Sequence, residues 1–211
     1  MSGPGIEYID EMVNSMEYWN MLWEKYQWKQ SRPMMDAVLT RICEVHFPKI
    51  VVDLGCGISE SLETVRNARP DAHLIGVDFA ESAIEKNKAA DSTIEWICSD
   101  IRALPIPDNH AGLVYGSHIL EHMASSGDVI QAIKEMYRIT KPGGVVVVAV
   151  PRQMYFFEHT QIFDWDRLIG ELGSFNGPGE PVICYQDMFG QEIIASTIKR
   201  KWPAEMMNGS H

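Results

Sequence analysis

The stretch VVDLGCGISES, residues 51–61, decides how the rest of the chain is interpreted. It opens with apolar and β-branched residues, which favour a buried strand. Gly55 and Gly57 follow one residue apart, and a helical pattern begins near residue 60. A glycine-rich turn between a strand and a helix is typical of a nucleotide-binding loop, because glycine lets the backbone approach a ligand closely.

The residues after these glycines exclude two common kinds of nucleotide loop. A dinucleotide fingerprint needs Gly or Ala at position 60, where this chain has Glu60, and a P-loop needs a lysine that is absent here. Glu60 would also place a carboxylate at the helix N-terminus, where a pyrophosphate should bind. The remaining pattern is Asp53-x-Gly55-x-Gly57-x-Ser59, in which the small Ser59 replaces a third glycine and could cap the helix through its hydroxyl.

Strand and helix patterns alternate on both sides of this loop. Strands are predicted at 50–54, 73–78, 93–99, 112–117 and 145–150, helices at 60–69, 80–90 and 127–140, and two last strands at 182–188 and 192–200. Strands separated by helices predict an α/β fold with a mostly parallel, seven-stranded sheet covered by helices on both faces. Residues 1–46 are predicted to form a helical extension or cap, and residues 47–211 a single compact domain.

Five segments in this order resemble the motifs of class I S-adenosylmethionine (SAM)-dependent methyltransferases, which have a Rossmann-like fold. They are the glycine loop, HLIGVDFAESAIEKNKA (73–89), IEWICSDIRALPIPDN (94–109), GLVYGSHILEHM (112–123) and EMYRITKPGGVVVVAVP (135–151). The resemblance covers about half of the chain, and its strength lies in the order and spacing of all five segments.

The resemblance implies SAM as cofactor and S-adenosylhomocysteine as product. The implied cofactor-binding residues are Asp53, Gly55, Gly57, Asp78, Phe79, Asp100, Ile101, Ser117 and Tyr18. Asp78 would accept the ribose hydroxyls and Asp100 the adenine amino group, while Asp53 would hold the loop or meet the methionine ammonium. Taken singly, Asp78 is also typical of a helix start and Asp100 of a turn, and Phe79 and Ile101 could be plain core.

Two histidines are candidates for a catalytic base. His118 ends the fourth predicted strand and His159 follows the fifth, and either could titrate near neutral pH or only orient a substrate. A metal site built from His118, Glu121 and His122 is weakly indicated, and no metal is expected. The aromatic stretch EYWNMLWEKYQW (17–28) is typical of core packing but could also cover the cofactor, with Tyr18 or Trp19 against its methionine end.

The composition narrows the class of partner. The net charge of −11 over 211 residues disfavours nucleic acid and anionic membranes, and residues 115–118 lack the Asn/Asp-Pro-Pro-Tyr stretch of base-amino methyltransferases. No signal peptide is expected from the acidic N-terminal residues, and the longest apolar run, residues 145–151, is too short to span a bilayer. Four cysteines without a CxxC pair are expected to be buried free thiols in a cytoplasmic protein.

These observations predict a cytoplasmic methyltransferase that acts on an O, N or C nucleophile of a small molecule. A non-catalytic SAM-binding partner or regulatory subunit is the first alternative, and a NAD-dependent oxidoreductase is the second. The substrate and the oligomeric state are left open by the sequence.

Overall fold

The computed structural model describes residues 14–25, 32–58, 60–152, 160–176, 181–186 and 192–199. The helices are α1 (Met16–Lys25), α2 (Pro33–His46), α3 (Ser61–Ala68), α4 (Glu81–Ala90), α5 (Ser126–Ile139) and α6 (Trp165–Asn176), with a 3₁₀ turn at Leu120–His122. The strands are β1 (Ile50–Leu54), β2 (His73–Asp78), β3 (Glu95–Cys98), β4 (Ala111–Ser117), β5 (Thr140–Pro151), β6 (Ile183–Gln186) and β7 (Glu192–Ile198). Helix α6 was not predicted, and residues 6–13 of the expected N-terminal helix lie outside the described residues.

The seven strands form one sheet in the order β3-β2-β1-β4-β5-β7-β6. Strands β1 to β5 pair in parallel, whereas β7 runs antiparallel between β5 and β6. This confirms the predicted mostly parallel, seven-stranded sheet. The strand order reverses direction between β1 and β4, so a crevice opens at the carboxyl ends of these two strands, where α/β sheets bind their ligands.

Buried apolar clusters on the two faces of the sheet hold the helices in place. One face packs α5 and α6 through Val129, Ile133, Met136, Leu168 and Leu172. The other packs α2, α3 and α4 through Met35, Leu39, Leu62, Val65 and Ile84. Helix α2 therefore shares a core with the sheet, while the predicted division of the chain at residue 46 stays a prediction.

Strand β5 begins earlier than predicted. Its first residue pairs as Ala111↔Thr140, and the register then shifts so that Leu113 pairs with Val145. The Lys-Pro-Gly-Gly run at 141–144, which by resemblance to the family was expected to form a turn between the predicted helix at 127–140 and the predicted strand at 145–150, is thus an irregularity within a longer strand. Within this irregular segment Gly143 has a φ of 82°, which is a left-handed conformation that glycine adopts without steric cost.

The starts of α5 and α3 are capped differently. Ser125 caps α5, because its hydroxyl accepts a hydrogen bond from the backbone N–H of Asp128 at 3.1 Å. The N-cap residue of α3 is Glu60, without a side-chain cap bond, rather than the predicted Ser59, which lies outside the described residues.

The four cysteines are free thiols, as expected, but they are not all buried. Cys43 and Cys56 are buried and Cys184 is half-buried, whereas Cys98 at the end of the edge strand β3 is exposed. The prediction of burial was wrong for Cys98, because β3 has a neighbouring strand on one side only. Among the described residues, the helices are too short or too polar to cross a membrane.

Candidate functional site

A cavity of about 290 Å³ opens at the carboxyl ends of the parallel strands. Its walls come from α1, the glycine loop, the ends of β2 and β4, and the turns that follow β3 and β4. The lining residues are Asn14, Ser15, Trp19, Trp23, Gly55, Asp78, Phe79, Asp100, Ile101, Arg102, His118, Ile119, His122, Met123 and Ala124. Gly55, Asp78, Phe79, Asp100 and Ile101, all predicted from the sequence to bind the cofactor, are thereby brought together around one space.

The glycine loop crosses from β1 to the end of β2. Gly55 and Gly57 have φ values of 68° and 50°, and the backbone N–H of Gly55 donates to the carbonyl of Val77 at 2.8 Å. A Cβ on Gly55 would lie 2.6 Å from Cδ1 of Ile119, and one on Gly57 would lie 2.6 Å from the ring of Trp23. Both positions therefore require glycine for backbone conformation and for space.

Asp78 links the glycine loop to the start of α4. Its two carboxylate oxygens accept hydrogen bonds from the backbone N–H groups of Gly57 at 2.8 Å and Ala80 at 2.9 Å. Burial raises the pKa of the Asp78 carboxyl, while the hydrogen bonds from Ala80 and Gly57 act in the opposite direction. Each oxygen keeps a second lone pair, so the side chain can still accept from a ligand in the cavity.

Asp53 is buried behind the glycine loop. Its Oδ2 atom accepts a hydrogen bond from the hydroxyl of Ser61 at 3.0 Å, so it connects the end of β1 to the first turn of α3. It is not among the residues that line the cavity. This arrangement favours the first of the two predicted roles, in which Asp53 holds the loop.

Asp100 lines the cavity but is already engaged by Arg102. The Oδ1 atom accepts from the backbone N–H and Nε of Arg102 at 2.8 and 3.0 Å, and Oδ2 accepts from Nε and Nη2 at 3.0 and 2.6 Å. Partial burial opposes ionisation, but these bonds outweigh it and lower the pKa of Asp100. An ionised carboxylate has about four lone-pair sites, so an adenine amino group could bind only if one contact to Arg102 gave way.

His118 lies between two carboxylates at the end of β4. Its Nε2 atom is 2.8 Å from Oε1 of Glu192, the first residue of β7, and its Nδ1 atom is 3.1 Å from Oε1 of the fully buried Glu121. Burial disfavours the imidazolium, but the interactions with Glu121 and Glu192 outweigh burial and raise the pKa of His118. A charged imidazole has no lone pair for a proton, so the role of His118 as a base stays a prediction that requires loss of one of these protons.

Arg32 joins this cluster from the start of α2. Its guanidinium donates a hydrogen bond of 2.5 Å to the hydroxyl of Ser117, which was predicted to contact the cofactor. Burial lowers the pKa of Arg32, whereas the nearby carboxylates Glu192 and Glu121 raise it. Ser117 is therefore tied to a half-buried cation and does not line the cavity.

Helix α1 covers one side of the cavity. The rings of Trp19 and Trp23 stack with centroids 6.3 Å apart, and the side-chain oxygen of Asn20 accepts from the backbone N–H of Ser82 at 2.9 Å. Lys86 donates to the backbone carbonyl of Trp23. Trp19 and Trp23 line the cavity, whereas Tyr18, the other residue suggested for the methionine end, is buried outside the cavity lining.

Several parts of the site escaped the sequence reasoning. Arg32, Arg102 and Glu192 carried no motif signal, although a basic residue two positions after Asp100 could have been flagged as its partner. The predicted base His159 lies outside the described residues. Within the described part of the chain, no three His, Cys, Asp or Glu side chains are arranged to hold a metal ion.

Comparison with known proteins extends this description. A family model described as "Methyltransferase domain" matches residues 52–148. A trans-aconitate 2-methyltransferase of Methylobacterium radiotolerans is 26% identical over 137 residues, which cover 64% of this chain and 50% of that protein. A demethylmenaquinone methyltransferase of Listeria welshimeri is 35% identical over 100 residues, covering 44% of this chain and 41% of that protein. The chain thus spans half or less of the length of these curated relatives.

Solved structures share the fold at low sequence identity. The N-methyltransferase NodS of Bradyrhizobium japonicum in complex with S-adenosylhomocysteine has a TM-score of 0.66 at 16% identity, covering 90% of this chain and 99% of that one. The [4+2]-cyclase SpnF has a TM-score of 0.68 at 13% identity, covering 96% of this chain and 99% of that one. Residues 52–148 thus match the methyltransferase-domain model, and the described residues share the fold of these solved structures.

Proposed function

We propose that this chain transfers the methyl group of SAM to an O, N or C nucleophile of a small molecule and releases S-adenosylhomocysteine. The observation that carries the proposal is the cavity itself, in which the glycine loop and the buried Asp78 meet at the carboxyl edge of the sheet. Small-molecule methyltransferases among the relatives and the net charge of −11 support a small acceptor rather than a nucleic acid.

The residues of the cavity fit the parts of this cofactor. The carboxylate of Asp78 suits a ribose diol, because each of its oxygens retains acceptor capacity beside the bonds from Gly57 and Ala80. Phe79 and Ile101 supply apolar surface for a base, and the left-handed Gly55 leaves room for close backbone approach. The fit is poorest at Asp100, whose acceptor sites are taken by Arg102.

Methyl transfer from this site needs positioning more than acid–base chemistry. SAM, when bound, supplies a methyl group that is already activated on a positively charged sulfur. The chain's own residues then have to hold the acceptor in line with it and exclude water, which α1 with Trp19 and Trp23 is placed to do. His118 and His159 remain our proposed candidates for removing a proton from the acceptor.

Two measurements test the proposal against its alternatives. Calorimetric titration with SAM and with NAD should show binding of SAM alone, and binding of NAD alone would favour an oxidoreductase. Incubation of SAM with a metabolite panel should then release S-adenosylhomocysteine. SAM binding without turnover on any acceptor would favour a non-catalytic partner.

The proposed bases are tested by single-turnover methyl transfer. A base that acts in the transition state contributes about 10²- to 10⁴-fold, so His118→Ala or His159→Ala should slow transfer by that factor without weakening SAM binding. His73→Ala is the matched control, because His73 is exposed at the start of β2 and pairs with Glu95. If both variants turn over within about fivefold of the parent, neither histidine is the base and positioning alone carries the reaction.

A further inference from the structure

We propose that the acceptor is a neutral, largely apolar molecule, and that the site rejects anionic acceptors such as carboxylates. This inference rests on the proposed function and concerns the part of the cavity away from the predicted cofactor residues. We call this part the acceptor end, and it is lined by Trp19, His118, His122, Met123 and Ala124.

The acceptor end has apolar and aromatic walls. Trp19 meets the ring of His122 edge-on, with centroids 4.9 Å apart and an interplanar angle of 78°. Met123 and Ala124 add aliphatic surface on the turn after the 3₁₀ segment. Aromatic and thioether surfaces of this kind gain most from burying the apolar body of a ligand.

The arginine and the two histidines that line the cavity each face a carboxylate. His118 lies 2.8 Å from Glu192 and 3.1 Å from Glu121, and Nε2 of His122 is 4.0 Å from the same Glu121 oxygen. At the other end, Arg102 is shared between Asp100 at 2.6 Å and Asp128 at 2.5 Å. An anionic acceptor would therefore have to compete with an existing ion pair for its counter-charge.

The buried surroundings of the acceptor end are acidic. Arg32, behind Ser117, experiences the charges of Glu192, Glu121, Asp53 and Asp36. These four carboxylates outnumber the neighbouring cations Arg32 and His118, so an added carboxylate would meet a net negative charge in a partly buried site. A protonated amine is disfavoured for a different reason, since it lacks the lone pair that accepts a methyl group and would lie beside the positive sulfonium.

The test compares two probes with the same ring system, neutral 2-naphthol and anionic 2-naphthoate. Each is titrated calorimetrically into the full chain saturated with S-adenosylhomocysteine, so that binding is read without turnover. We expect 2-naphthol to bind at least about tenfold more tightly, the difference that one uncompensated charge contact produces in a partly buried site. Tighter or equal binding of 2-naphthoate would overturn the inference, and so would binding of neither probe.

A variant gives the opposite change and excludes a merely structural explanation. Glu192→Gln removes one negative charge and turns an ion pair of His118 into a neutral contact, so 2-naphthoate should bind at least about threefold more tightly than to the parent. Glu95→Gln is the control, because this exposed carboxylate pairs with His73 on the far end of β2 and should change neither affinity. An unchanged 2-naphthoate affinity in Glu192→Gln would contradict the charge argument.

Failure of this inference can be told apart from failure of the proposed function. If S-adenosylhomocysteine itself does not bind, the proposed function is wrong. If it binds and the anionic probe is preferred, only the nature of the acceptor is wrong.

Discussion

Replacing Asp78 by alanine removes a carboxylate that supports the glycine loop and, by our prediction, binds the ribose of the cofactor. In the structure, its two oxygens accept from the buried backbone N–H groups of Gly57 and Ala80 at 2.8 and 2.9 Å. Each unpaired N–H costs about 1–3 kcal/mol, and removal of a buried charge offsets part of this, so Asp78→Ala should destabilise the fold by about 2–4 kcal/mol.

The same substitution should weaken cofactor binding by a calculable factor. Charge-assisted hydrogen bonds contribute about 1.5–3 kcal/mol, which corresponds to a loss of SAM affinity of about 10- to 150-fold. Isothermal titration calorimetry measures this loss, and thermal unfolding measures the change in stability. Glu95→Ala is the control, since it also removes a carboxylate from the sheet but at an exposed position distant from the cavity.

A modified ligand separates a direct ribose contact from support of the loop. S-adenosylhomocysteine that lacks both ribose hydroxyls should bind the parent about tenfold or more weakly than the natural compound, but should bind Asp78→Ala as well as the natural compound does. The reasoning is refuted if SAM affinity changes by less than about threefold in the variant. It is also refuted if the missing hydroxyls weaken binding equally in both proteins.

Two further substitutions test the geometry of the site. Gly55→Ala combines a left-handed φ with a Cβ 2.6 Å from Ile119, so it should destabilise the fold by at least about 2 kcal/mol in denaturant titration and weaken SAM binding; near-parent values would show that the loop is not tight here. His118→Gln removes the nearer of the two histidines that face the buried Glu121 and should cost about 3 kcal/mol or more near pH 6. Because the folded-state pKa of His118 is raised, its pairing with Glu121 and Glu192 stabilises the fold fully below the ordinary histidine pKa and is lost as pH rises through the raised value. The stability difference between parent and His118→Gln, measured by urea unfolding, should therefore shrink from pH 6 towards pH 9, and a constant difference would contradict the charged pairing.

The predicted elements succeeded where a local pattern was sufficient. The alternation of apolar runs and helical periods indicated the mostly parallel sheet, and the glycine pattern after β1 indicated the loop with positive φ at Gly55 and Gly57. The prediction failed at Lys-Pro-Gly-Gly, where turn residues form an irregularity inside β5 because β4 pairs with residues on both sides of them. It also failed for the burial of Cys98, which depends on the strand's place at the edge of the sheet.

The cofactor side of the cavity was more predictable than the acceptor end. Asp78 is the last residue of β2 and Asp100 lies two residues after β3, so their approach to the glycine loop is a consequence of parallel strand order. The ion pair between Asp100 and Arg102 could be recognised only from the side-chain geometry, because a spacing of two residues does not by itself specify an ion pair. The sequence did not decide whether α1 packs in the core or covers the cofactor site. The position of the Trp23 ring against Gly57 favours a covering role for α1.

The sequence by itself determined the class of fold, the glycine loop and the carboxylates at the strand ends, since each depends on residues that are neighbours along the chain or on one repeated unit. Only the tertiary structure decided the charge pattern of the acceptor end. Glu192 reaches His118 across 74 positions of sequence, and Arg32 reaches Ser117 across 85. The first pair forms because β7 lies antiparallel beside β5, and the second because α2 packs on the sheet face formed by β4 and β5. A local sequence pattern does not specify which distant side chains the fold brings into contact.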